Sequence, residues 1–188
     1  MNVLSTELPE VLIVEPRVFG DARGYFMETY HAERYAEAGI PATFVQDNLS
    51  VSERGILRGL HLQHPHAQGK LVQVLDGEVF DVAVDVRRGS PRFGQWVGVS
   101  LSGENKRQLW VPEGFAHGFC VTSERAVFSY KCTDLYHPDC ERSIRWDDPR
   151  IAIAWPLSEV TLSDKDAAAP LLDDTPEAAL PEYPDAPR

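Results

Sequence analysis

From Val11 to about Trp155 the chain reads as an all-β domain, an antiparallel sandwich or barrel. Short apolar or alternating runs are broken throughout by Gly, Pro, Asn and Asp. The clearest run spans 78–86, where Phe80, Val82, Val84 and Val86 fall on one face of a strand and Asp81, Ala83 and Asp85 on the other. Lys70 to Leu75 and Ala126 to Cys132 are also rich in β-branched and aromatic residues. A many-stranded barrel follows.

Helix is sparse. His31 to Ala38 holds good helix formers, and Gly39 with Pro41 behind it supplies a stop. At 188 residues and 43% hydrophobic content the chain fits one compact domain with a sizeable core, assigned to residues 1–173. From about Ala167 the sequence turns rich in Ala, Pro, Asp and Glu with scattered apolar residues, so 174–188 is expected to be a poorly ordered tail. No internal repeat marks a solenoid.

A net charge of −11 and a pI near 4.9 exclude a general binder of nucleic-acid backbone, which needs a basic footprint. An anionic small molecule is compatible, provided a local group of cations holds it. Cys120, Cys132 and Cys140 are odd in number and form no CxxC pair, so reduced thiols in a cytoplasmic protein are expected. Met1 to Pro9 lacks a basic segment followed by an apolar run, and no stretch approaches the roughly 20 apolar residues of a membrane span. Neither secretion nor membrane insertion is expected.

Polar residues of catalytic type concentrate in Gln46-Asp-Asn48 and in Arg58-Gly-Leu-His61 through Lys70. An inward charge on a packing strand costs several kcal/mol unless paired. Arg58 is therefore either a paired surface residue or a functional one, and His61 either a satisfied core histidine or a reactive one. His117, within Pro112-Glu-Gly-Phe-Ala-His-Gly-Phe119, reads as a loop residue that could hydrogen-bond an anion or simply sit in a hairpin connection. Tyr130 fits a barrel-filling ring or a proton donor, and Leu162 to Asp166 resembles any solvated charged turn.

Histidines in small barrels often hold a metal, and His61, His64, His66 and His117 supply enough nitrogens. A carboxylate at a fixed offset after the histidine pair is lacking, however, and Gln68 and Lys70 stand there instead. A lysine is repelled by a dication but helps a developing enolate. No metal is therefore expected.

Taken together, the motifs resemble the dTDP-4-dehydrorhamnose 3,5-epimerase family. They run from Phe19-Gly-Asp-Ala-Arg-Gly-Tyr-Phe-Met-Glu28 through Gln46-Asp-Asn-Leu-Ser50, Leu57-Arg-Gly-Leu-His61 and Gln68-Gly-Lys70. They continue with Asp81-Val-Ala-Val-Asp-Val-Arg87, Gly114-Phe-Ala-His-Gly-Phe119, Tyr130-Lys-Cys-Thr133 and Leu162-Ser-Asp-Lys-Asp166. The resemblance implies a cupin-like (jelly-roll) antiparallel β-barrel with a few short helices, acting on a dTDP-4-keto-6-deoxy sugar without cofactor. A ketone at C4 acidifies the hydrogens on C3 and C5, so a base can remove one and leave an enolate, and protonation from the opposite face inverts that carbon.

The resemblance further implies His61 as the base, Asp166 as the carboxylate that orients it, Lys70 beside the enolate oxygen and Tyr130 as the proton donor. Gln46, Asn48, Arg58 and His117 match sugar and diphosphate contacts, while Arg23 and Glu28 match nucleotide contacts. Tyr136 would lie against the thymine ring with Glu141 nearby, and Phe19 and Lys165 complete the substrate set. The family's usual homodimer exchanges N-terminal strands, so part of 19–28 would serve the neighbouring site. Three alternatives stand beside the double epimerase: a single-carbon epimerase of a related deoxysugar pathway, a metal-dependent cupin enzyme, and a non-catalytic nucleotide-sugar binding barrel.

Overall fold

The computed structural model describes residues 1–40 and 43–184. Strands β1 (Asn2–Ser5) and β2 (Leu12–Glu15) precede a ribbon of β3 (Val18–Asp21) and β4 (Gly24–Met27) and the helix α1 (Ala32–Glu37). The barrel follows as β5 (Gln46–Glu53), β6 (Leu57–Gln63), β7 (Lys70–Asp76), β8 (Glu78–Asp85), β9 (Trp96–Ser102), β10 (Gln108–Val111), β11 (Phe115–Val121) and β12 (Arg125–Cys132). Then come β13 (Glu141–Ser143) and the single-turn helix α2 (Asp164–Ala167). One sheet has the order β1-β2-β10-β7-β12-β5, the other β13-β6-β11-β8-β9, and the paired strands are antiparallel. No described helix is long and apolar enough to cross a membrane.

The alternation in 78–86 is real, but its apolar face points away from the barrel interior. Val82, Val84 and Val86 pack with Ile144, Ile151, Leu172 and Leu180 behind the five-stranded sheet. Ala83 and Val79 face the inter-sheet core of Val72, Val97, Leu109, Phe119 and Phe128, and Asp81 lies fully buried on that same inward side of the strand. A period of two tells that a strand has two faces and leaves open which one is inside.

That inversion explains the end of the chain. An apolar outer face needs a cover, and 144–180 supplies it, with Leu172 and Leu180 buried. Residues 174–184, expected as a poorly ordered tail, instead pack against the barrel: Arg88 N donates to Pro181 O at 2.8 Å and Tyr183 N to Arg88 O at 2.9 Å. Composition hid this because only one or two apolar residues per turn of chain are needed to cover an existing surface. The last four residues of that expected tail, 185–188, lie outside the described residues.

Helix α1 lies where the composition places it. His31 caps it, accepting from Arg34 N, and Gly39 follows its end with φ +94°; Pro41 lies outside the described residues. Tyr35 and Ile40 pack with Val14, Leu71 and Trp110 on the outer face of the six-stranded sheet. Tyr35 donates from its hydroxyl to Gln108 Oε1 at 2.8 Å.

A buried ion pair fastens the end of β8. Asp85 accepts from Arg87 Nε at 2.9 Å, Arg87 Nη2 at 2.7 Å, Arg87 N at 3.0 Å and Ser90 Oγ at 2.6 Å. Burial pushes the Asp85 carboxyl up, but these donors outweigh it and hold it below the usual carboxylate range. The Arg87 guanidinium also stacks over Phe115 and Tyr183, joining β8, β11 and the C-terminal segment. Asp85→Ala leaves that guanidinium buried without its main partner, so equilibrium urea unfolding should show a loss of about 3–5 kcal/mol. Asp47→Ala, which breaks the exposed Lys131 pair, should cost about 1 kcal/mol or less.

Candidate active site

Arg58 and His61 are three residues apart, a spacing that puts side chains on opposite faces of a regular strand. A bulge in β6 brings them together. His61 pairs with His117 and Arg58 with Phe119, so three steps along β6 answer two along β11. The bulge needs glycine twice: a Cβ on Gly59, whose φ is +117°, would stand 2.7 Å from both Gly118 Cα and His117 O, and one on Gly118 would meet Arg58 O at 2.8 Å. Both Arg58 and His61 consequently face one cavity of about 430 Å³.

Asp166 reaches that cavity from the far end of the chain. Thr161 bridges to Ile56 beside the start of β6, with Leu57 N donating to Thr161 O at 3.0 Å and Thr161 N to Gly55 O at 2.8 Å. Ser163 then caps α2, accepting from Asp166 N at 3.2 Å. Asp166 is 2% exposed and lies 2.5 Å from His61 Nε2 through Oδ1, while Oδ2 accepts from Gly59 N at 3.4 Å. Burial raises its pKa, but the His61 hydrogen bond, the His61 charge, Ser163 and Gly59 together lower it below the ordinary value. What reads in sequence as a solvated charged turn is a buried carboxylate against a histidine.

Lys70 and Tyr130 come from the opposite sheet. Cys132 pairs with Lys70 and Tyr130 with Val72 across β12 and β7, which places Lys70, Tyr130 and Cys132 on the inner face. Burial pulls the Lys70 ammonium toward neutrality, opposed by Cys132, Asp81 and Glu141. Burial also raises the Tyr130 phenol, with Cys132 adding to the rise and Arg58 opposing it. His117 lies inside β11 rather than in a loop, a correction to the sequence reading: the turn closes at Gly114, φ +87°, and the strand starts one residue later. Its Nε2 contacts both Asp81 oxygens, at 2.9 and 3.0 Å, which makes its burial tolerable.

A second chamber of about 270 Å³ shares His61, Lys70 and Tyr130 with the first and adds Gln46, Asn48, Tyr136 and Glu141. Gln46 Oε1 accepts from Tyr136 N at 2.9 Å, and Gln46 Nε2 donates to Asn48 Oδ1 at 3.1 Å. Glu141 accepts from the Tyr136 hydroxyl at 3.0 Å and from Lys165 Nζ at 2.8 Å. Lys165 and Arg58, the latter donating to Ser52 Oγ at 3.1 Å, are the cations at the first chamber's rim.

Three expected residues are elsewhere. Phe19 and Arg23 line a hollow of the β3–β4 ribbon, where Arg23 pairs with Asp21, and Glu28 pairs with Arg34. Conversely, the cavity uses Ser50, Phe119, Phe128 and Ser163, none of them assigned from sequence, with Asp81 buried behind His117. The polar period of two in Gln46, Asn48, Ser50 and Ser52 was the available signal for Ser50; nothing local marked Phe119 or Phe128 as more than core.

Two antiparallel sheets closed on a polar cavity make this a cupin-like jelly roll, and its relatives are isomerases. A dTDP-4-dehydrorhamnose 3,5-epimerase of Salmonella typhimurium is 60% identical over 176 residues, 92% of this chain and 96% of the relative. The crystal structure of a dTDP-6-deoxy-D-glucose-3,5-epimerase from Legionella pneumophila with dTDP-4-keto-L-rhamnose has a TM-score of 0.95 at 60% identity, covering 97% of this chain and 98% of the other. A dTDP-4-dehydrorhamnose 3-epimerase of Streptomyces niveus is 42% identical over 173 residues, 90% of this chain and 84% of the relative. The family model for dTDP-4-dehydrorhamnose 3,5-epimerase matches residues 5–174, and the chain belongs to that family.

The depressed Asp166 carboxyl fixes the sign of a pH effect. Its contribution to stability is fully present above the ordinary carboxylate range and is lost as pH falls through the folded value. The difference in unfolding free energy between wild type and Asp166→Asn should therefore shrink as pH is lowered below about 4. Urea titrations at stepped pH measure it.

Proposed function

We propose that this chain converts dTDP-4-dehydro-6-deoxy-D-glucose to dTDP-4-dehydro-L-rhamnose, inverting C3 and C5 in turn. The observation that carries the reading is the placement of His61 and Tyr130 on opposite sheets facing one cavity. A base and an acid on opposite sides of a sugar ring are what inversion requires. His61 takes the proton from the carbon beside the ketone, and Asp166 orients the ring and stabilises its charged form. The electron pair moves onto the C4 oxygen, beside the Lys70 ammonium. Tyr130, kept protonated by burial, gives a proton to the other face; the phenolate then regains a proton from solvent and His61 releases its own to solvent, which resets both residues.

Arg58, His117, Gln46 and Asn48 would hold the sugar and diphosphate, while Tyr136, Glu141 and Lys165 would hold the nucleotide end. Local cations suffice for the diphosphate despite the acidic total charge. A dication in the barrel does not suit this set, because Lys70 occupies the space and both inward histidines already face carboxylates. Inversion of both carbons, rather than C3 alone, is supported by the 60% identity to the Salmonella and Legionella 3,5-epimerases against 42% to the Streptomyces 3-epimerase. The free thiols support a cytoplasmic setting.

The reading is tested in deuterated water with excess chelator present. Wild type should place deuterium at C3 and C5 of the product; deuterium at one position only would identify a single-carbon epimerase. His61→Ala and Asp166→Ala should each lower kcat by about 10²-fold or more with little change in nucleotide-sugar affinity. Tyr130→Phe should exchange deuterium into recovered substrate faster than it forms inverted product, because His61 can return a proton only to the face it came from. Near-normal epimerisation by Tyr130→Phe would reduce Tyr130 to a packing ring.

The β3–β4 ribbon supports a homodimer with exchanged strands. A two-stranded ribbon has no core of its own, and Phe19, Tyr25 and Phe26 stand exposed on it. Phe19, Arg23 and Glu28 would then serve the partner's nucleotide pocket. Co-expressed His61→Ala and Arg23→Ala chains should recover activity that neither variant has alone, since one site of the mixed dimer is intact. No recovery in a mixed dimer would confine the ribbon to its own chain.

A further inference from the structure

The histidines of β6 and of the loop after it do not all belong to the barrel. His61 turns inward, whereas His66 turns outward and meets Asp134 and His137 from the segment after β12. We propose that His66, Asp134 and His137 bind one late first-row divalent ion of the zinc class, at a site separate from the proposed chemistry.

Two imidazoles and a carboxylate are the donor set that zinc-class ions prefer, and magnesium and calcium do not. His66 Nδ1 lies 3.2 Å from Asp134 Oδ2, and His137 Nε2 lies 3.9 Å from Asp134 Oδ1, with one donor atom from each residue inside 4.8 Å of the others. Tetrahedral zinc with bonds of about 2.0–2.1 Å sets its ligand atoms about 3.3 Å apart. The first separation already fits. The others need a closure that partly exposed imidazole rings can make by side-chain rotation. The rings stack with centroids 4.0 Å apart and 22° between planes, so one ring must turn out of the stack for both nitrogens to aim at one ion, a rotation open to side chains this exposed.

The backbone of all three residues is held from behind. Gln63, buried at the end of β6, donates to His66 O at 2.7 Å and to Leu135 O at 3.1 Å, and accepts from His137 N at 2.7 Å. Gln68 donates to Asp134 O at 2.8 Å, and Asp134 Oδ1 accepts from Leu135 N at 2.7 Å. Ligand residues fixed by such outer contacts lose less freedom on binding, which is how metal sites acquire affinity. Gln63, Gln68 and Tyr136 also line the second chamber. An ion here would therefore tie the 64–69 loop to the segment carrying Tyr136 and stiffen one wall of that chamber, leaving a fourth coordination position to water.

The test uses tag-free, full-length protein stripped by chelator and dialysed. Calorimetric titration with Zn²⁺ should show one equivalent bound, and Co²⁺ should give the visible absorption of a low-symmetry, imidazole-bound ion that Zn²⁺ displaces. His66→Ala, His137→Ala and Asp134→Asn should each weaken binding at least about tenfold, while His64→Ala, on the same loop, should not. In the wild type itself, Zn²⁺ should shift the ring resonances of His66 and His137 before those of other histidines. Unchanged affinity in Asp134→Asn and His137→Ala, or first perturbation at other histidine rings, would overturn the assignment.

Discussion

Lys70, Asp81 and Asp166 give up nearly all contact with water inside one small barrel, and the two carboxylates recover from fixed partners the hydration they lose. An unpaired buried charge costs several kcal/mol, so their partners are as fixed as the core itself. Asp81 is answered by His117 across β8 and β11, and Asp166 by His61, Ser163 and Gly59 across α2 and β6. The strand order follows this need. β11 sits between β6 and β8, which lets one central strand present His117 to Asp81 while its glycine admits the bulge that aims Arg58 and His61 inward.

The same requirement turns β8 inside out. A strand that points Asp81 into the barrel must point Phe80, Val82 and Val84 the other way, and the chain spends residues 144–184 on covering them. That covering segment also delivers Asp166. Its return beside β6 through the Thr161 bridge thus packs the outer face and sets Asp166 against His61 in the cavity at once. Apolar burial behind the sheet stabilises the position of a carboxylate in front of it.

The sequence made strands β7, β8 and β12 and helix α1 legible, because each carries its own period or composition. Quantities set by three-dimensional context were not legible. Alternation in 78–86 could not say which face was interior, the Arg58–His61 spacing gave no hint of the bulge, and the composition of 174–184 concealed residues that cover a surface made a hundred positions earlier. His117 looked like a loop residue because Gly114 closes the turn one residue before the strand starts. Asp166 was reached by resemblance; its local sequence is that of an exposed turn, and only the 2.5 Å contact with a residue 105 positions away distinguishes it.

Burial acts on Lys70 and Tyr130 in opposite directions, lowering the ammonium and raising the phenol. Both shifts express one cause, the shortage of solvent to stabilise charge. Cys132, Asp81 and Glu141 oppose the fall in the Lys70 pKa, yet its net shift is still downward, so in the free protein its burial is only partly compensated. A group in that state gains most when new negative charge develops beside it. On the proposed chemistry that charge is the enolate oxygen, absent from the neutral ketone of the ground state. Lys70 then interacts more strongly with the transition state than with the substrate, which is the condition for accelerating the step rather than merely tightening binding. On the same proposal the raised phenol would work in the same sense, keeping its proton through the neutral range and releasing it only to a carbon made basic by the enolate.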